Sequence, residues 1–156
     1  GTILREVEAA AQILERDYDV AADVWSLTSV NELQREGKAT ERWNLLNPQE
    51  KPRVPYVTAQ LQDSEGPFIA ATDYIKIYAD QIREFVPGRY VTLGTDGYGR
   101  SDTRDKLRKF FEVSREYVVL AALKALADEG KIEREVVAQA RQALNIPVDK
   151  VDPLSV

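Results

Sequence analysis

Two short apolar runs, PFIAAT at 67–72 and YVTLGT at 90–95, constrain this chain more than any other feature. PFIAAT is apolar almost throughout, which suits a strand buried in a parallel sheet. YVTLGT reads as a further strand, and its C-terminal end runs into the glycine-rich stretch LGTDGYGRSDTRDKLRKFF. Ahead of both, in VAADVWSLTS, Val20, Ala22 and Val24 alternate with Ala21, Asp23 and Trp25, which predicts another strand.

Helical patterns fill the intervals. In the opening segment Ile3, Val7, Ala10 and Leu14 share one face, with Thr2 as N-cap. Ser29 and Glu32 have the spacing of a capping box, which opens a second helix through Leu33 toward Trp43. Thr72 is placed to cap a helix carrying Tyr74, Ile75, Tyr78, Ile82 and Phe85, ended by Pro87-Gly88. YVTAQLQ stays open between strand and helix, with Pro55 suited to a first helical position. After the glycines, Leu107, Phe110 and Phe111 mark a short helix, SREYVVLAALKALADEG a longer one stopping at Gly130, and Glu133 to Leu144 a last one. Tyr117 to Leu123 is apolar around most of the helix circumference, so that helix is central or meets another domain or subunit. NIPVDKVDPLSV, broken by two prolines, reads as an extended tail on a surface.

This rhythm is that of an α/β fold in one domain spanning 1–156. A parallel sheet needs a strand before its first helix, because each crossover joins two strands. The first helix starts within two residues of Gly1, so an upstream strand, and with it a longer parent chain, is expected.

Composition removes several classes of function. The net charge of −5 leaves no excess of Lys and Arg to displace phosphate counterions, which disfavours nucleic acid. No apolar run approaches the ~20 residues of a membrane span. Cys and His are absent, which excludes thiolate and His-ligated metal sites, Ser-His and Cys-His nucleophiles, and imidazole acid–base chemistry. Such a chain is poorly equipped as a free-standing enzyme.

The candidate site is the loop containing Gly97, Gly99, Arg100, Ser101, Asp102 and Arg104. Its spacing, Gly94-x-x-Gly97-x-Gly99, matches neither the dinucleotide fingerprint nor a P-loop. It could bind an anion through backbone N–H groups and Arg100, or serve as an interface. The plainer reading is that its glycines permit positive φ in a strand-to-helix turn capped by Ser101 or Asp102. Asp96, Asp102 and Asp105 lack cation-loop spacing, and Arg100, Arg104 and Arg108 lie close by to neutralise them. Arg42-Trp43-Asn44 and Arg53-Val-Pro-Tyr56 suit an interface hot spot and a loop anchor equally.

Over essentially all its length the chain resembles the C-terminal domain of the homodimeric, bacterial pyruvate dehydrogenase decarboxylating component. The resemblance rests on ILREVEAAAQILERDY with DVWSLTS, ERWNLLNP with PRVPYV, TDYIKIYADQIREFVP, and YVTLGTDGYGRSDTRDKLRKFFEV followed by YVVLAAL. TDGYGRSD with Leu107 and Phe111 is more distantly similar to the end of the transketolase C-terminal domain. The resemblance implies a three-layer α/β/α domain with a mostly parallel sheet, serving structure and dimer packing. It implies a cytoplasmic enzyme that decarboxylates pyruvate on thiamine diphosphate held with magnesium and reductively acetylates lipoyl groups. The implied partners are a second copy of the chain and the dihydrolipoamide acetyltransferase component. The family's Gly-Asp-Gly motif has no counterpart here, since Asp96-Gly97 follows Thr95, so no catalytic, cofactor-binding or metal residue carries over. Cofactor and metal are expected in upstream domains. The alternatives are the same domain of another 2-oxoacid dehydrogenase or a transketolase, or a free-standing anion-binding regulatory module.

Overall fold

The structure, a computed structural model, describes residues 2–97 and 99–155. The two apolar runs become β1 (Phe68–Ala71) and β2 (Tyr90–Leu93), which pair in parallel with Phe68 opposite Tyr90 and Ala71 opposite Leu93. Their side chains alternate between two faces. Ile69, Ala71 and Leu93 pack against α1 (Thr2–Tyr18), α6 (Arg115–Asp128) and α7 (Arg134–Ala143), in a cluster centred on Ala10, Leu14, Val119 and Leu123. Phe68, Ala70 and Tyr90 face the other way, onto a cluster with Val30, Val57, Ile82 and Phe85. Those last residues come from α2 (Val30–Leu46), α3 (Tyr56–Leu61) and the turns after α4 (Lys76–Asp80). The sheet therefore sits between two helical layers, and the α/β expectation holds.

Helix α1 buries Ile3, Ala10 and Leu14 along the face expected from its spacing. Its predicted N-cap fails on position, because the helix already includes Thr2, whose side chain lies outside the described residues. The apolar helix α6 is central: it packs on α1, α7 and both strands, and buries Val118, Val119, Ala122, Leu123 and Ala125. The segment left open at 56–61 is helical, with Pro55 as N-cap rather than inside the helix. Tyr90 anchors β2 to α4, its buried hydroxyl donating to the Ala79 carbonyl at 2.8 Å. Burial, with the nearby Asp80 charge, pushes this phenol up to about 12.

Three local expectations give way. The run VAADVWSLTS forms no strand among the described residues, and Val24, Trp25 and Leu27 are exposed. An extended segment becomes a strand only where a neighbour accepts its ladder hydrogen bonds, and none of the described residues does so. Ser29 occupies the N-cap of α2 but its side chain makes no capping bond, and the Glu32 carboxylate pairs with Arg35 at 2.6 Å rather than reaching back to close the box. The helix expected from Thr72 to Pro87 is cut to α4 and a short 3-10 turn, Arg83–Phe85. Thr72 Oγ1 accepts from Tyr74 N, and Ile75 is extended, so the chain enters its helix only at Lys76.

Candidate functional site

The loops after β1 and β2 meet beyond the carboxyl ends of the strands. Thr95 N donates to the Tyr74 carbonyl at 2.9 Å, and Thr95 Oγ1 to the Asp73 carbonyl at 2.6 Å. Asp96 Oδ1 accepts from Lys76 N at 2.7 Å, so a carboxylate on one loop caps the helix begun on the other. The close approach explains Gly94: a Cβ there would lie 2.7 Å from both Tyr74 O and Lys76 N. At Gly97 the backbone has φ +117°, and a Cβ would lie 2.6 Å from the Pro153 carbonyl of the C-terminal tail. Gly99 meets open space. The positive φ of the plainer sequence reading is thus found at Gly97 alone of the three, while Gly94 answers to close packing instead and Gly99 to neither.

The next helix, α5 (Arg104–Phe110), is capped by Thr103 and not by Ser101 or Asp102. Thr103 Oγ1 accepts from Lys106 N at 3.4 Å, while Asp102 Oδ1 accepts from Thr103 N at 2.8 Å. A hydroxyl on the residue next to the helix reaches its first-turn amides where Ser101, two residues back, is too far. Ser101 is exposed.

Three arginines converge on this loop. Arg100 lies over the Phe110 ring at 4.1 Å, Arg104 opens α5, and Arg108 follows one turn later. Together with Asp73, Thr95, Leu107, Phe111 and Val113 they line an open cavity of about 500 Å³. Arg100 and Arg104 enter no ion pair among the described residues, whereas Arg108 donates to the buried Glu6 at 3.1 Å and reaches Asp105 at 3.5 Å. Glu6 also accepts from Arg115 through both the side-chain Nε and the backbone N, each at 2.9 Å. Burial on its own would raise the Glu6 carboxyl, but the bonds from Arg115 and the charges of Arg115 and Arg108 outweigh it and hold it below its ordinary value. This carboxylate ties α1 to α5 and α6. No local pattern marks it, since its partners lie 102 and 109 residues away.

The other expected cluster serves the loop itself. Asn44 brackets Arg53, accepting from its N–H at 2.8 Å and donating to its carbonyl at 2.9 Å, and the Arg53 guanidinium lies 3.7 Å over Trp43. Glu36 accepts from Tyr56 N at 2.9 Å. These residues anchor the proline-rich crossing onto α2, while Tyr56 remains exposed.

As for metal chemistry, the described residues bring no cluster of side-chain ligands together: no group of three His, Cys, Asp or Glu side chains converges, and Asp96 already serves Lys76.

Sequence comparison gives this geometry a lineage. Residues 1–114 match the family described as Transketolase-like TK C-terminal domain. The chain belongs to that family. The pyruvate dehydrogenase E1 component of Cupriavidus necator is 57% identical across all of this chain, and that of Pseudomonas aeruginosa 58% identical across 99% of it. The corresponding protein of Escherichia coli K12 is 53% identical over 98% of the chain. The chain spans 17–18% of the length of these relatives. The family resemblance carried by the sequence motifs is thereby met. No described helix is long and apolar enough to cross a membrane.

Proposed function

We propose that this chain is a non-catalytic packing domain of a bacterial pyruvate dehydrogenase component, acting in the cytoplasm as part of a homodimer. In the whole enzyme, thiamine diphosphate and magnesium, held by other domains, supply the decarboxylation of pyruvate and the reductive acetylation of lipoyl groups on the acetyltransferase component. The observation that carries this reading is identity above half, sustained along the chain, to pyruvate dehydrogenase E1 components.

The packing surface differs from the one α6 suggested, since that helix is consumed by the domain's own core. Exposed apolar side chains lie instead at Val24, Trp25 and Leu27, at Leu45, Leu46, Val54 and Tyr56, and at Tyr74, Ile75 and Ile77 beside the candidate loop. Patches of this kind mark contact surfaces.

Calorimetric titration of the chain with thiamine diphosphate, with and without magnesium, tests the proposal. No magnesium-dependent uptake is expected. Micromolar binding that requires magnesium would overturn the non-catalytic role.

A further inference from the structure

We propose that the arginine-lined cavity beyond the strands binds a small organic phosphate, a role that goes beyond domain packing. Ligands of open parallel sheets gather outside the carboxyl ends of the strands, and this cavity is built there from the loops that follow β1 and β2. Its volume of about 500 Å³ lies within the range of small-molecule sites.

The lining divides by chemistry. Arg100, Arg104 and Arg108 bring three guanidinium groups to one cavity of a chain whose net charge is −5. Of these, Arg108 is already committed to Glu6 and is held with its side chain 16% exposed, a fixed positive wall. Arg100 and Arg104 have no carboxylate partner among the described residues, and both are exposed. A guanidinium presents a planar fork of donors that matches phosphate oxygens in pairs, so these two side chains are the ones free to grip a dianion.

Leu107 and Phe111 form the accessible apolar part of the lining, with Val113 buried behind them, and suit a carbon skeleton, which inorganic phosphate lacks. Thr95 in the same lining offers a hydroxyl oxygen that accepts from hydroxyl groups on that skeleton, while the Asp73 carboxylate opposes a dianion. The Arg100 guanidinium lies 4.1 Å over the Phe110 ring and enters no side-chain hydrogen bond among the described residues, so its donors stay available. The recognised chemistry is therefore a phosphate monoester on a small, partly apolar, hydroxylated body, bound without metal.

Phenyl phosphate, inorganic phosphate and phenol, titrated into the full chain in magnesium-free buffer, separate the contributions. The expected order is phenyl phosphate at roughly millimolar strength, inorganic phosphate weaker, and phenol without measurable binding. Arg104→Ala and Arg100→Ala should each weaken phenyl phosphate about tenfold, since each removes a charge-assisted contact. Both residues are exposed, so the variants are expected to keep the fold, and matching circular dichroism and melting curves check this. Asp73→Asn, which removes a repelling charge, should tighten binding by a few fold.

Equal binding by the wild type and both arginine variants would overturn the proposal, as would no binding at 20-fold above roughly millimolar phenyl phosphate. If the arginine variants instead loosen assembly while phosphate has no effect, the cavity receives a carboxylate of an adjoining polypeptide and not a free phosphate. That result overturns this inference and leaves the packing role standing, whereas magnesium-dependent cofactor uptake would do the reverse.

Discussion

Glu6 is 5% exposed, yet it carries a charge that two arginines from distant segments share. Removing one member of such a group leaves the others unpaired, which is costly where they are buried. Arg115 is half exposed and can be rehydrated, so Glu6→Gln should lower stability by about 2 kcal/mol, read from urea unfolding at neutral pH. The pH dependence has a definite sign. A carboxyl held below its ordinary value of 4.5 contributes stability that is complete above that value and is lost as pH falls through the folded pKa. The gap between wild type and Glu6→Gln should therefore stay constant near neutrality and close below about pH 4.5. A widening gap on acidification would refute the assignment. Ser114 behaves oppositely. It sits at the N-cap of α6 with its hydroxyl buried and unpartnered among the described residues. Ser114→Ala should therefore avoid the ~1 kcal/mol that loss of a working cap costs.

At the scale of elements, the long periodic helices and the two apolar strands were legible because each is fixed by a local pattern repeated over several residues. The region from Thr72 to Pro87 was not. Its apolar spacing is helical, but Thr72 and Asp96 delay the start to Lys76, and Asp96 comes from a loop 20 residues on. The same packing makes Gly94 and Gly99 unlike one another despite their similar place in the sequence. Gly94→Ala would press a methyl group against the backbone at Tyr74 and Lys76, costing about 2 kcal/mol and speeding amide exchange at Lys76 and Thr95. Gly99→Ala should change stability by no more than about 0.5 kcal/mol. Equal effects at the two positions would mean that the loop is not held as described.

At the scale of the whole molecule, the exposed apolar groups bear on assembly. Ile75 and Ile77 are 52% and 66% exposed, so their replacement by Ser should leave the fold nearly as stable while removing contact area from any surface they meet. The double substitution should weaken association of the full-length enzyme at least tenfold by sedimentation, with little change in melting temperature. Unchanged association would move the contact elsewhere, Trp25 being the next candidate. By itself the sequence determined the α/β class, the two paired strands, the buried face of α1, the family, and the absence of imidazole and thiol chemistry. Composition and short-period patterns encode the class, the strands, the helix face and that absence directly, while the family is carried by long ordered stretches that resemble it. Only the tertiary structure decided that 20–28 finds no ladder among the described residues, that α6 is spent on the domain's own core, and that Glu6 binds Arg108 and Arg115. The convergence of Arg100, Arg104 and Arg108 on one cavity also belongs to it. Each of these depends on which distant segments share a neighbourhood, and spacing along the chain does not carry that information.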